Sequence, residues 1–564
     1  MEKRWAYKPL PSTESTKELA EAINVSLPTA TLLMQRGIRD FESAKNFFRP
    51  SFEHLHNPFL MQDMDKAVWR LEEAIRNKEK IMVYGDYDVD GTTAVVLIYG
   101  FLLHFYKHLL YYTPDRYGEG YGVSIKGMDW AKEQGVSLII CLDCGIKSHQ
   151  SVSYAKGLGI DFIICDHHVP SENLPDAYAI LDPKRKDCAY PFKELSGCGV
   201  GFKLLQGFCQ SNEIPFEKLY PFIDLVAVSI AADIVPVIDE NRILTYYGLQ
   251  LLNSQSRFGL KALMEIAELR KPIDIASIVF GIAPRLNAGG RVAHASEAIR
   301  LLLAENESEA TKLANTANVS NDTRRGFDSN ITQEAMQLLS ESTKTQAKTT
   351  VLFKADWHKG VVGIVASRCI EKFYRPTIIL TQANGKATGS ARSVNGFDVY
   401  EALSECADLL EQYGGHAHAA GLTLPLDNLE TFRTKFEAVV ADRISEDSLT
   451  PQQEVDCIIE LSQINTKFHK VIKQMSPFGP QNMQPIFVSK NVVLSGSPSV
   501  LKESHLRFSV KQENSISFEA IAFSMAHYFD KLLPNQPFDI CYQIHENDYK
   551  GRRSLQLMIK DLRF

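Results

Sequence analysis

Lys80-Ile-Met-Val-Tyr84-Gly-Asp86-Tyr-Asp88-Val-Asp90-Gly-Thr-Thr93 is the stretch on which the reading of the fold turns. An apolar run of strand length ends in three acidic side chains at alternate positions. A Gly91-Thr92-Thr93 turn and an apolar helix, Ala94 to Phe105, are expected to follow. The unit recurs along the chain: an amphipathic helix Ala67 to Ile75 precedes it. A strand near Tyr111-Tyr112, a helix Ser124 to Glu133, a strand Ser137 to Leu142, a helix Ser148 to Lys156 and a strand Asp161 to Cys165 come after. Short apolar strands alternating with helices mark an α/β fold with a largely parallel sheet. In such a sheet the strand C-termini line one edge, where ligands gather.

Four polar clusters fall at the ends of apolar segments: Asp86 to Asp90, Asp143, Asp166-His167-His168, and Asp233. Taken singly each is weak, because loops after strands are often acidic and most histidines bind no metal. An EF-hand is excluded, since the glutamate that should close its loop is missing. The coincidence of four ordered clusters predicts a divalent-metal site. A carboxylate-rich donor set without thiolates favours Mn²⁺ or Mg²⁺ over zinc. Cys141-Leu-Asp-Cys144 is a lone C-x-x-C with no second pair, so those cysteines read as buried small residues.

The chain has 564 residues, 45% hydrophobic and 23% charged, with a net charge of −7. That length divides into roughly three or four domains. The charge gives no global invitation to nucleic acid, so such a partner needs a local basic patch or metals. The N-terminus has no apolar signal region, and the run Phe222 to Ile238 is broken by Asp224, Asp233 and Pro236, which argues against a membrane span. Ten scattered cysteines suit the reduced thiols of a cytoplasmic protein.

Residues 1–60 read as an N-terminal extension, 61–305 as the α/β core, and 306–345 as a connecting helix and linker, with the helix Ser308 to Ser340 bent or broken near Gly326. A second, smaller α/β unit occupies 346–448, with a helix Val399 to Tyr413. Residues 449–564 alternate in short runs with Gly, Asn and Pro turns, as in a small closed β-barrel.

Tyr84-Gly-Asp-Tyr-Asp-Val-Asp-Gly91, Asp143-Cys-Gly145, Asp166-His-His168 and Ala231-Ala-Asp233 resemble the ordered motifs of the DHH phosphoesterases. Pro284-Arg-Leu-Asn-Ala-Gly-Gly-Arg291 and Gly414-Gly-His-Ala-His-Ala-Ala-Gly421 narrow the resemblance to the RecJ family of single-stranded-DNA-specific 5′→3′ exonucleases. It covers roughly residues 60 to 564. The resemblance implies a DHH catalytic domain, a DHH-associated substrate-binding domain and an OB-type strand-binding barrel, in that order. It implies two ions, with Asp143 bridging them and Asp86, Asp88, Asp90, His167 and Asp233 completing their shells. Asp143, Asp90 and His168 form the catalytic group, His168 meeting phosphate or acting as acid, and Asp166 orients the first histidine. One departure stands out: small-substrate members carry histidine where this chain has Tyr84, and Asp86 is the expected substitute.

Arg116, Arg285, Asn287, Arg291, Ser390, Arg392 and His416 are donors at turns or element ends that suit phosphate oxygens. Any one is more often a surface residue, and the resemblance lifts Arg285, Ser390, Arg392 and His416 above that reading. Gly289-Gly290 and Gly414-Gly415 would permit close backbone approach. Phe478, Phe487, Phe508, Phe523, Tyr542 and Tyr549, near Lys550, Arg552 and Arg553, are candidates to stack on bases, though most barrel aromatics are core. The expected activity is direct, metal-assisted hydrolysis of single-stranded DNA with a 5′ end, in recombination and repair. A helicase and a single-strand-binding protein are candidate partners, no membrane is involved, and the chain is expected to be a monomer. The alternatives are a phosphohydrolase of small nucleotides or short oligonucleotides, and a catalytically dead scaffold, which should have lost metal ligands.

Overall fold

Lys80–Gly85 (β1) is an inner strand of a five-stranded, all-parallel sheet in a computed structural model that describes residues 3–120, 122–292, 294–341, 347–513, 515–549 and 551–564. Leu109–Tyr112 (β2), Val136–Leu142 (β3), Asp161–Cys165 (β4) and Ala179–Leu181 (β5) complete it in the order β2-β1-β3-β4-β5. The order reverses between β1 and β3, the point at which such sheets open a crevice for ligands. Helices cover both faces. Ile81 and Val83 join the core beneath helix Val89–Leu102 (α1), whereas Met82 and Tyr84 face the helices Ile125–Glu133 and His149–Gly157.

Register then decides where the acidic residues go. Gly85 pairs with Leu142, Leu142 with Cys165, and Cys165 with Leu181. The next residue on each strand is an aspartate: Asp86, Asp143, Asp166 and Asp182. The ladder extends one step further, with Asp143 N–H on Cys165 O (2.9 Å) and Asp166 N–H on Leu181 O (3.0 Å). Four aspartates therefore stand in a row across the edge of the sheet.

The expected Gly91-Thr92-Thr93 turn is instead the first turn of α1. Asp88 is its N-cap and accepts from Gly91 N–H at 3.0 Å, which lets the helix start at Val89. A Cβ at Gly91 would lie 2.5 Å from Asp86 O, so only glycine fits this winding.

The chain divides into two compact units, one of residues 7–290, 294–317 and 454–564, the other of residues 1–6, 291–293 and 318–453. In the larger unit the C-terminal strands form a barrel. Phe487–Leu494, Phe538–Tyr549, Arg552–Arg563, Phe518–Ala522 and His505–Lys511 follow one another around it. Only two residue pairs, Val493 with Lys511 and Leu494 with Val510, join the last strand to the first, so the barrel is not strictly closed. Leu19, Leu32, Leu33 and Ile38 of the N-terminal extension share its core with Phe487, Phe508 and Tyr542.

The smaller unit holds a five-stranded mixed sheet, Thr350–Phe353, Thr377–Ala383, Lys386–Arg392, Ala419–Pro425 and Gln412–His416 in spatial order. The helix expected over Val399 to Tyr413 stops at Ser404, and Gln412–His416 is an edge strand. Gly415 has φ +149°, and a Cβ there would meet Ala419 O at 2.3 Å, so the Gly-Gly pair makes a hairpin. Glu307–Glu341 is one continuous helix, unbroken at Gly326. A lone glycine costs a helix only about 1 kcal/mol, and buried Asp328, Ile331 and Ala335 hold the following turns, Asp328 through Arg368 at 2.6 Å. Of the linker, residues 342–346 lie outside the described residues.

Arg242, on helix Asp239–Ser254, ties the larger unit together. Its buried guanidinium donates to Phe47 O (3.0 Å), Met475 O (2.9 Å), Ser476 O (3.0 Å) and Pro477 O (3.4 Å) and lies 3.8 Å from the Phe47 ring. Arg242→Met leaves these carbonyls without their donor and should destabilise this unit by about 3 kcal/mol. The shift of its denaturant midpoint measures this, and an unchanged midpoint contradicts it.

Candidate metal centre

The aspartate row is joined by Asp88 and Asp90 at the start of α1, by His167 beside Asp166, and by Asp233 at the end of helix Ile223–Ala232. His167 Nε2 lies 3.2 Å from Asp143 Oδ1, 3.6 Å from Asp233 Oδ2 and 3.7 Å from Asp90 Oδ2. Asp90, His167 and Asp233 form one group able to grip a single ion, and Asp86, Asp88 and Asp143 form another. Asp143, in contact distance of His167, belongs to both neighbourhoods. The structure thus brings together every sequence-predicted ligand.

Each side chain is held differently. Asp90 is anchored from behind by the N-terminus of helix Gly197–Ser211, accepting from Gly197 N–H (2.7 Å), Cys198 N–H (2.8 Å) and the Ser229 hydroxyl (2.7 Å). Backbone N–H groups and the helix dipole both favour its charge. Gly197 is required there, since a Cβ would lie 2.6 Å from Asp143 Cβ. Sequence reading missed Ser196, Gly197 and Ser229; the glycine-rich run Ser196-Gly-Cys-Gly-Val-Gly201 opening a helix was the available signal.

Asp166 accepts from the N–H groups of His167 (2.7 Å) and His168 (3.1 Å), from Ile146 N–H (3.0 Å) and from the His168 ring at Nδ1 (2.8 Å). Its ring contact is therefore with the second histidine, not the first as expected; the first is oriented only through its backbone. Burial works against the Asp166 charge, yet the hydrogen bond and charge of His168 hold its carboxyl well below the usual range. Burial likewise opposes charge on His168, but Asp166 keeps that imidazole protonated up to about 9. His167, buried, is pushed down and stays neutral, the form that binds a metal.

The other carboxylates have no such answer. Asp86 and Asp143 are pushed well above the ordinary range by burial and by neighbouring carboxylates, and Asp88 is raised for the same reasons. Asp233 is pushed up to about 8 by burial and by Asp90 and Asp88. Asp86 Oδ1 is buried without a hydrogen-bond partner. Hard oxygen and imidazole donors, mutually repelling and partly orphaned, fit divalent cations of the Mn²⁺ and Mg²⁺ kind.

Tyr84 is excluded as a ligand. Its hydroxyl donates to Gly122 O (2.9 Å) and accepts from Ser124 N–H (3.2 Å) on the helix-covered face of the sheet, and its ring stacks on Tyr112. Asp86, two residues on at the end of the same strand, lies inside the second ligand group. Asp182 was missed in the sequence. It is fully buried, pushed up to about 7 by burial, and accepts from Lys184 N–H at 2.7 Å. The Lys184 charge acts on both His167 and Asp233. The Cys141 and Cys144 thiols lie 3.4 Å apart and buried, as small core residues.

Among the expected substrate contacts, the Arg116 guanidinium lies 5.0 Å over the ring of Tyr87, the residue between Asp86 and Asp88. Arg285 donates to Gly281 O of its own helical segment (2.7 Å), and Asn287 is half-buried further along. Gly290 gives the close approach expected of it: a Cβ would lie 2.6 Å from Tyr87 O. In the smaller unit Arg392 donates to Ser390 Oγ (2.6 Å), and its Nη2 stands 2.8 Å from where a Cβ on Gly363 would be, in the first turn of helix Val362–Phe373. The arrangement suits an anion. His416 is exposed beside His418, and register puts it across from Ala419, which pairs with Arg392. Arg291 donates to Gly360 O at 2.9 Å. In the barrel Phe487, Phe508 and Tyr542 are core and Phe478 half-buried, which leaves Phe523 exposed beside His505. Arg553 is exposed and pairs with Asp548. Lys550 and the side chains of Tyr549 and Arg552 lie outside the described residues.

The chain is similar to known proteins over most of its length. Family models described as "DHH family, N-terminal domain", "DHHA1 domain" and "RecJ OB domain" match residues 80–230, 345–442 and 455–561. The single-stranded-DNA-specific exonuclease RecJ of Bacillus subtilis is 37% identical over 99% of this chain and 70% of its own. That of Salmonella typhimurium is 34% identical over 89% of this chain and 90% of its own. A crystal structure of RecJ in complex with Mn²⁺ from Thermus thermophilus superimposes with a TM-score of 0.84 at 28% identity, covering all of this chain and 79% of that one.

The metal-free centre should destabilise the fold as pH rises. Asp233 titrates near 8 when folded, against an ordinary 3.8. Between those values the unfolded chain has lost a proton that the folded chain keeps, so the contribution of Asp233 to stability falls as pH rises from about 4 to about 8 and is constant above. In chelator, the melting temperature should drop by several degrees across that window, and saturating Mn²⁺ should abolish the drop. A chelated protein as stable at pH 8 as at pH 5 contradicts this.

Proposed function

The chain belongs to the RecJ family of single-stranded-DNA-specific exonucleases, and from that membership we propose that it hydrolyses single-stranded DNA stepwise from a 5′ end. The observation that carries the reading is the row of strand-end aspartates with His167 set among Asp90, Asp143 and Asp233. In this reading Asp90, His167 and Asp233 hold one ion, Asp86 and Asp88 hold a second, and Asp143 serves both. The ions, Mn²⁺ or Mg²⁺, offset phosphate charge and lower the pKa of the attacking water.

The protein's own groups do the rest. Asp90, fixed by a helix N-terminus, keeps the ligand geometry from relaxing. His168, kept cationic by Asp166, meets a phosphate oxygen or gives its proton to the leaving oxygen. Arg116 adds a positive charge beside Asp86. Ser390, Arg392 and His416 of the smaller unit, with Arg285, Asn287 and Arg291, bind backbone phosphates, and the barrel follows the strand beyond. We assign 61–305 to catalysis, 346–448 to substrate binding and 449–564 to the strand, with 1–60 as an extension and 306–345 as the connection. A role in recombination and repair, a helicase and a single-strand-binding protein as partners, and a monomeric state belong to the same reading. No described helix is long and apolar enough to cross a membrane, and the ten free, buried cysteines support a cytoplasmic setting.

With Mn²⁺ and single strands labelled at either end, the 5′ label should be released first, and duplex ends should resist. Asp143→Ala should lower the rate at least about 1000-fold, as loss of a shared metal ligand does, with the fold intact by circular dichroism. Simultaneous loss of both labels, or near-parent turnover by Asp143→Ala, overturns the reading.

A further inference from the structure

Two large aliphatic side chains stand in solvent beside the metal-binding residues, and packing explains neither. Val169 follows His168 and is 67% exposed; Ile234 follows Asp233 and is 63% exposed. The residues around Ile234 behave otherwise: Val235 and Val237 are buried, and Ala231, in the last turn of the preceding helix, lies in the core.

The backbone of Ile234 makes the exposure informative. Helix Ile223–Ala232 ends at the C-cap Asp233, and Ile234 is the next residue, with φ +59°. Helices commonly end on a left-handed residue at this place, and that residue is usually glycine. A β-branched side chain is a genuine outlier there. Glycine would make the same turn without the strain. Inside a core, packing could offset the strain, but this side chain lies mostly outside. Strain held at such a place points to a contact that the folded chain does not itself supply.

The surroundings say what that contact is. His167 Nε2 lies 3.6 Å from Asp233 Oδ2, so the two loops carrying Val169 and Ile234 meet at the centre. The other groups described there are carboxylates, imidazoles and the cations Arg116 and Lys184, a set that with ions suits phosphate. The reacting nucleotide also has a sugar and a base, and an unpaired base offers an apolar face.

We propose that Ile234, with Val169, forms an apolar contact for the nucleoside joined to the scissile phosphate. The proposal rests on the exonuclease reading and deepens it. Phosphate contacts leave the rest of the nucleotide in water; a second, apolar point of contact holds it at the centre in ground state and transition state alike. An aliphatic surface reads no hydrogen-bond pattern, so the contact accepts all four bases, as stepwise degradation of any sequence requires.

The test is Ile234→Gly, which removes the side chain and relieves the backbone, compared with Ile234→Leu, which keeps an apolar contact. The glycine variant should fold at least as well as the parent, bind Mn²⁺ with the same affinity, and lose about 10-fold in kcat/KM on single-stranded DNA, chiefly through KM, as loss of one buried aliphatic contact would give. The leucine variant should recover most of the loss. An abasic residue at the 5′ end separates base from sugar. If the base is the partner, parent and glycine variant degrade that strand equally; if the sugar is, the difference persists. A glycine variant with the parent's KM, or one whose Mn²⁺ affinity falls in step with its rate, overturns the contact. A parent chain that leaves single strands uncut overturns the functional reading and the contact with it.

Discussion

Aspartates placed side by side at the end of a parallel sheet repel one another, and the rest of the structure is arranged around that repulsion. Hydrogen-bond register puts Asp86, Asp143, Asp166 and Asp182 on adjacent strand ends. Asp88, Asp90 and Asp233 arrive from the loop and helices nearby. The fold answers some of these charges itself. Asp166 receives His168 and three backbone N–H groups, Asp90 receives a helix N-terminus and a serine, and Asp182 is protonated up to about 7. For Asp86, Asp88, Asp143 and Asp233 it provides no counter-charge equal to their burial. That deficit is what a pair of divalent cations removes, and it ties metal binding to stability.

Bringing so many polar groups together requires backbone to touch backbone. Gly91 lets the Asp86–Asp90 loop wind into a helix, Gly197 lets a helix N-terminus reach Asp90 past Asp143, and Gly290 lets another helix press on the Tyr87 carbonyl. Each position rejects even a methyl group. The centre is thus clamped at three glycines of the larger unit.

Much of this was legible in the chain. Alternating apolar runs and helices gave the parallel sheet, and three of the four ligand clusters follow its strands, so their place at the sheet edge followed from topology; Asp233 instead caps a helix. What escaped were features set by partners distant in sequence. Asp182 ends the three-residue strand Ala179–Leu181, too short to carry a period. Which face Tyr84 occupies depends on strand pairing, and its hydroxyl partners, Gly122 and Ser124, lie about forty residues on. The Gly91-Thr92-Thr93 segment looked like a turn because glycine breaks helices on average; a cap from Asp88 reverses that preference locally. Gly326 misled for a related reason, its small penalty being outweighed by buried contacts on the following turns. Val399 to Tyr413 was read as one helix, whereas its end pairs with a strand that follows.

The most direct test is anomalous diffraction at the manganese edge from crystals grown with Mn²⁺. Two peaks about 4 Å apart, one against Asp90, His167 and Asp233, the other against Asp86 and Asp88, with Asp143 touching both, is the predicted map. Manganese absent from these residues, or bound at a site that leaves Asp143 uncoordinated, would contradict the account.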